Sequence, residues 1–354
     1  MLKRIFRHLA SDRSAPASGP DVLVNAYATV ATLPPFDFPH TPRAARSAPD
    51  AGLTDHLQGF SEFVMRDGST MTQARYHLLS HLKRVRHQTS VMVPESALDA
   101  FGTWAARANA IMFFPDASIR DPAGNVLLGG DGSSSDFEAR VPHPADAWAR
   151  KARSEAKLAE HGLRSTASLP PRDGESEVRL RPAHEVWART GALTIVGVRA
   201  ESIRRGNPVP VESLKERLPE GFAQLSPAER AFLQTASPDA DSLARFGGRF
   251  EAARTLAWAL SVDDDLPFPT AASDGAAVAR QVIGAPPRAL RPTAVLLDAL
   301  DINHRMHWVV RQAYINGRNT VAGVDGGVVA ERCRAFNWLV QFKDADWDDV
   351  DAPT

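Results

Sequence analysis

Gly129-Gly-Asp-Gly-Ser-Ser-Ser-Asp136 divides the chain into two parts that read differently. A run of small and acidic residues has no large apolar side chain to bury and leaves the backbone unconstrained, which is the composition of a linker. Upstream of it, short β-branched runs alternate with turn residues. Downstream, apolar residues return every three or four positions. The expectation is an α+β N-terminal domain over 21–130, an antiparallel sheet with two helices, followed by a linker over 131–144. A mostly α-helical C-terminal domain then occupies 145–354, and residues 1–20 form a flexible N-terminus.

In the N-terminal part, Asp21 to Leu33 carries a Val-Leu-Val…Thr-Val run ended by Pro34-Pro35 and reads as a strand. Residues 34–53 are rich in Pro and Ala and read as an irregular excursion. Tyr76, Leu79 and Leu82 give Met71–Arg84 helical spacing. Thr89–Val93 is a short strand. Ser96 is placed to cap a helix over 97–108 whose apolar face holds Leu98, Phe101, Trp104 and Ala105. Ala110–Phe114 and Gly124–Leu128 flank a turn-rich segment and read as an antiparallel hairpin or meander.

In the C-terminal part, Ala145–Glu160 is a charged helix with Trp148 and Leu158 among its few large apolar residues. Pro182 opens a helix striped by Val186, Thr190, Leu193 and Val196. Ser226-Pro-Ala-Glu229 combines an N-cap, a proline at the first helical position and a glutamate three residues on, a capping box. Phe250, Ala253, Ala257 and Leu260 line a further helix. Pro292 opens a long one with Leu296, Leu300, Met306, Val310 and Ala313 on its stripe, ended by Asn316-Gly317. Val329, Cys333, Phe336 and Val340 mark the last. Of seven tryptophans only Trp104 precedes residue 140, so the other six suggest one shared helical core.

Composition narrows the function classes. The length of 354 residues suits two domains. Lys plus Arg is 41 against 42 for Asp plus Glu, so there is no bulk field to draw the chain to nucleic acid or an anionic membrane. The 44% hydrophobic and 23% charged residues are a globular mixture. A single cysteine excludes an intrachain disulfide and a thiolate zinc site. Arg4, Arg7 and His8 interrupt the N-terminus, which therefore lacks the apolar stretch of a secretory signal, and no run of about 20 apolar residues follows. A cytoplasmic location is the expectation.

Several ordered stretches in the C-terminal part resemble a bacterial family known as domain of unknown function 4272. They are Arg150-Lys-Ala-Arg-Ser-Glu with His161-Gly-Leu, Pro182-Ala-His-Glu-Val-Trp-Ala-Arg189 and Leu225-Ser-Pro-Ala-Glu-Arg230. Glu251–Leu260 with Leu266-Pro, Leu296–Asp301 with Arg305-Met-His-Trp308, Glu331–Trp338 and Trp347-Asp-Asp-Val350 complete the set. The resemblance covers roughly residues 143–354. It implies a mostly helical domain with no established reaction, cofactor or active site, and leaves residues 1–140 as an accessory domain.

The candidate chemistry centres on the helix opened by Pro292. Asp298, Asp301 and Arg305 share one face, with His304 and Trp308 four apart beside it. Arg181, Glu185 and Arg189 recur at four-residue steps, and Glu331 and Arg334 sit on the last helix. If these faces converge they form a polar pocket within the bundle, with carboxylates and a histidine suited to general-base work. The plainer reading is a network of ion pairs, Asp301 to Arg305 and Glu185 to Arg189.

No cofactor and no metal is expected. Five aspartates between Asp344 and Asp351 lack the glycine-centred pattern of a calcium loop, and Trp347 among them reads as an anchor for the tail. His77, His81 and His87 lack the glutamate of a zinc protease and sit beside Lys83, Arg84 and Arg86. The loop Asn319–Gly327 leads into a helix N-terminus, an arrangement that can hold an anion but more often only connects. Cys333 reads as core. Phosphate-binding glycine loops and a serine nucleophile elbow are missing from the sequence.

The leading expectation is a non-enzymatic module that binds a partner protein; a role in toxin neutralisation or bacterial competition would suit it. The alternative is a small-molecule-acting enzyme, a hydrolase, that uses the polar cluster. It requires Asp298, Asp301 and Glu331 to share one cleft.

Overall fold

The computed structural model describes residues 20–66, 70–132, 135–286, 288–318, 320–321 and 323–352. The N-terminal segment 1–19, Ser133 and Ser134 of the glycine-rich run, and Asn319 and Ala322 of the loop at 319–327 lie outside them. Contacts divide the chain into two units that meet in sequence at Pro142 and His143, with Val30–Thr32 grouped in the second.

The first unit is α+β. Its strands are β1 (Asp21–Ala28), β2 (Thr41–Ser47), β3 (His87–Pro94), β4 (Ala110–Phe113), β5 (Ile119–Arg120) and β6 (Val126–Leu128). They form one antiparallel sheet in the order β2-β3-β1-β4-β5-β6. β1 is central, with Val24 opposite Val91 on β3 and Ala26 opposite both Thr89 and Met112. Three helices, α1 (Ala51–Val64), α2 (Gln73–Leu82) and α3 (Leu98–Arg107), accompany the sheet, one more than the sequence suggested.

Four local readings are corrected. β1 stops at Ala28, before the prolines. The excursion at 34–53 contains β2 and the start of α1. β2 is a polar, solvent-facing edge strand that carries Pro42 at a register shift, where no neighbour asks for its missing N–H. Ser96 does not cap α3; it lies in a 3-10 turn over Glu95–Ala97. On α2 the buried face holds Leu78, His81 and Leu82, rotated from the expected Tyr76–Leu79 stripe.

Tyr27 stacks on Phe60 at 4.4 Å in one core layer, among Leu78, Ile111 and Ile119. Trp104 on α3 stacks on Phe36 at 4.5 Å and donates from Nε1 to the Pro34 carbonyl at 3.0 Å, which fixes the proline-rich segment to that helix. The glycine-rich run is not left free. Arg66 donates to the Gly130 carbonyl at 2.7 Å, and Arg75, itself buried, donates to those of Gly132 and Val64.

The second unit is helical: α4 (Ala145–Glu160), α5 (Ala183–Arg204), α6 (Val211–Arg217), α7 (Pro219–Ala223), α8 (Pro227–Gln234), α9 (Ala240–Gly247), α10 (Arg249–Ala259), α11 (Gly275–Gly284), α12 (Thr293–Ile315) and α13 (Gly326–Leu339). α5 is apolar nearly all round, the pattern of a central helix, and α7, α9, α10 and α11 pack on it. A Cβ on Gly221 of α7 would stand 2.5 Å from the Gly191 backbone of α5, so this crossing requires glycine.

Among the described residues the helical unit has two apolar clusters rather than one. The larger surrounds α5 and α10 and includes Trp258, Trp338 and Trp347, with Trp187 packed against it. The smaller joins Leu158, Leu163, Met306, Val329 and Cys333 between α4, α12 and α13. Trp308 is half-buried, and Trp148 lies at the surface, 49% exposed. Burial pushes the Cys333 thiol up to about 12, so it behaves as core. Among the described residues no helix is long and apolar enough to cross a membrane.

Candidate functional site

The proposed polar cluster does not assemble in one place. Asp301 and Arg305 pair as expected and are fully buried: Arg305 Nε donates to Asp301 Oδ2 at 2.8 Å and Nη2 to Oδ1 at 3.1 Å. Arg305 also reaches Glu155 on α4 and the Pro170 carbonyl, so the pair ties α12 to α4 and the following loop. His304 lies beside it. Burial, reinforced by Arg172, Arg305 and His307, pushes its pKa well below the usual histidine range, which keeps it neutral.

Glu185 does not pair with Arg189. It accepts from Arg181 Nη1 at 2.6 Å, while Arg181 lies over the Trp338 ring. Arg189 donates to the buried Glu229 instead. Glu331 takes both its bonds from Arg249, at 2.7 and 2.9 Å. Arg334 donates to the Trp347 carbonyl at 3.5 Å. Asp298, Asp301 and Glu331 therefore occupy separate ion pairs, and the hydrolase geometry that required them in one cleft is absent.

The closing tail forms its own assembly. Trp347 is buried between the Arg189 and Arg249 guanidinium groups, 5.1 and 5.7 Å from its ring centre. Asp348 accepts from Ser226 Oγ at 2.7 Å and from the Ala228 N–H at 3.0 Å, so it caps α8 alongside the capping box that Ser226 makes with Glu229. The tryptophan anchors the tail and one aspartate caps a helix.

The remaining sequence candidates are also structural. His81 is fully buried and donates from Nε2 to the Tyr27 carbonyl at 3.0 Å, whereas His87 bonds Ser47 on the edge strand. Among the described residues no group of three or more His, Cys, Asp and Glu is placed to hold a metal ion. At the N-terminus of α13, Asp325 accepts from the Gly327 and Val328 N–H groups, which fills that helix end with a carboxylate and closes it to an anion.

Burial of the imidazole, with Arg84 adding to it, pushes His81 down to about 3, against an ordinary 6.5. Its folded pKa is thus depressed, and below pH 6.5 the unfolded chain binds a proton that the folded chain refuses. Stability of the first unit is expected to fall by up to about 1.4 kcal/mol per pH unit from 6.5 toward 3. Unfolding midpoints measured across that range test this; a His81→Gln variant with the same slope would contradict it.

What the sequence did not disclose is a cavity of about 460 Å³ inside the helical unit, between α4, α12, α13 and the loop after α10. This is within the range of ligand pockets, roughly 300–1,000 Å³. Trp258, Phe268, Ile302 and Met306 supply apolar surface. Phe268 stacks on His161 with ring centres 3.7 Å apart. Arg153, Lys157 and His161 recur at four-residue steps along α4 and its C-cap, so they present three basic groups on one face. Of the residues proposed from sequence only Asp298 lines this cavity, where it accepts from Arg150 at 3.2 Å and Arg153 at 2.7 Å.

The model of a family described as domain of unknown function (DUF4272) matches residues 150–350, more than half of the chain. The chain belongs to this family. No curated protein and no solved structure matches it. Arg153, His161, Trp258, Leu266, Asp298 and Arg332 of the cavity lie within the stretches that carry the DUF4272 resemblance. The family domain therefore contains the cavity whole.

Proposed function

We propose that the DUF4272 domain is a non-enzymatic binding module that takes a small ligand between α4, α12 and α13. The observation that carries this reading is the 460 Å³ cavity with its apolar floor and basic rim. The carboxylates that the hydrolase reading would use are engaged elsewhere, Asp301 by Arg305 and Glu331 by Arg249. The test uses the full chain and a fluorescent probe of suitable size and shape, anilinonaphthalene sulfonate. One-to-one binding is expected, and Ala299→Trp, which fills the cavity from its α12 wall, is expected to remove it. Binding of many weak equivalents that ignores Ala299→Trp would oppose the reading.

A partner protein is supported by one separate observation. Tyr314 and Ile315 are adjacent at the end of α12 and 72% and 65% exposed, a surface that protein contacts favour for its aromatic content. A stoichiometric partner that is captured by the native chain and lost on Tyr314→Ala with Ile315→Ala would establish this second reading. No stoichiometric partner would remove it.

A further inference from the structure

Arg332 differs from the other buried arginines. Arg150, Arg189, Arg249 and Arg305 each have a carboxylate partner within salt-bridge distance, and Arg75 donates to three carbonyls. Arg332 is 2% exposed, yet among the described residues it has no carboxylate within salt-bridge distance and one hydrogen bond, from Nη1 to the Pro267 carbonyl at 2.7 Å; its Nε, like those of Arg189 and Arg249, has no partner. A buried guanidinium is costly unless an anion and further acceptors meet it. Arg332 lines the cavity.

A second orphan lies on the same wall. Asn303, also 2% exposed, spends its amide N–H on the Ala299 carbonyl one turn back, at 2.8 Å, and leaves Oδ1 buried without a donor. Asn303 lines the cavity too. The wall therefore offers an unfilled donor on a cation and an unfilled acceptor, beside Trp258 and the Phe268–His161 stack.

Lys157 supplies the excess positive charge at the rim. Arg153 and Arg150 share Asp298, and Arg150 also pairs with Asp146, so those two arginines are matched by two carboxylates. Two carboxylates oppose. Asp265 is exposed at the mouth, and Glu251, buried with one oxygen unpartnered, lies within electrostatic reach of Arg332. Glu251 is already turned to the Ser273 N–H through its other oxygen and makes no salt bridge to Arg332.

We infer that the cavity selects a small organic anion, a carboxylate, sulfonate or phosphate on a flat apolar body that also carries an N–H or O–H donor. Its anionic group meets Arg332, its donor meets Asn303 Oδ1, and its body lies against Trp258 and Phe268. This rests on the binding-module reading above and adds the charge and shape of the ligand.

Anilinonaphthalene sulfonate has all three features, and phenylnaphthylamine is the same body without the anion. The full chain is expected to bind the sulfonate at least about tenfold tighter than the neutral compound, since a charge-assisted bond is worth that much. Arg332→Met is expected to abolish the difference by weakening the sulfonate alone. Because Arg332 is buried, Lys157→Gln provides a second variant at an exposed position, with a smaller loss confined to the sulfonate and an unchanged circular dichroism spectrum. If both compounds bind one-to-one and equally, or if neither variant alters the preference, the anion site is overturned while the binding module stands. If neither binds one-to-one, the module reading itself falls. A preference that survives Arg332→Met would overturn the assignment of the anion to Arg332.

Discussion

Asp301→Ala is expected to destabilise the helical unit by about 3–5 kcal/mol, the cost of leaving a buried guanidinium without its carboxylate. Arg305 and Asp301 are both essentially inaccessible to solvent, so water cannot take over the pairing. After the substitution Arg305 keeps only a 3.4 Å contact to the half-exposed Glu155 and a 3.3 Å bond to the Pro170 carbonyl. In a unit of this size the loss corresponds to a midpoint drop on the order of 10 °C, read by tryptophan fluorescence. The double change Asp301→Leu with Arg305→Met is expected to recover most of it, since well-packed apolar residues replace buried ion pairs at little cost. A normal midpoint for Asp301→Ala would show that the pair is not the joint between α12 and α4.

Glu229→Ala is expected to cost about 4 kcal/mol or more, because one side chain does two jobs. Its Oε2 accepts from the Ser226 N–H at 2.8 Å, completing the capping box, and from the buried Arg189. Burial, with Arg249 adding to it, depresses the Arg189 pKa, and Glu229 with Asp348 opposes that shift. Removing Glu229 frays α8 and strands a cation under Trp347. The tail should therefore loosen together with the cap, visible as faster hydrogen exchange over residues 342–350. Glu229→Gln retains the reach-back to Ser226 but not the charge, and is expected to fall between the two. Exchange in the tail unchanged by Glu229→Ala would separate the cap from the anchor.

These expectations show which features can be read from sequence. The capping box, the helices opened by Pro182 and Pro292, and α4 over Ala145–Glu160 appear where the residues indicate, because caps and helical stripes are set within a few positions. Asp301 to Arg305 was legible for the same reason. Helix α1 went unread although Leu53, Leu57, Phe60 and Val64 follow helical spacing, because the proline- and alanine-rich run before it suggested a loop. β2 has no apolar alternation at all; it is a strand only because the β3 edge is there to pair with it.

The site was less legible than the fold. Glu185, Arg189, Glu331 and Arg334 were recognised as polar residues on core helices, but their partners, Arg181, Glu229, Arg249 and Trp347, follow from packing between helices. The cavity draws on five separated segments, from Arg153 to Arg332, and no spacing rule links them. The basic steps Arg153, Lys157 and His161 were the one local sign of it.

A crystal structure of the full chain with anilinonaphthalene sulfonate tests the central claim most directly. The expected result is one molecule between α4, α12 and α13, with its rings against Trp258 and Phe268 and its sulfonate within hydrogen-bond distance of Arg332. A molecule ordered at another face of the protein, with this cavity filled by water alone, would contradict it.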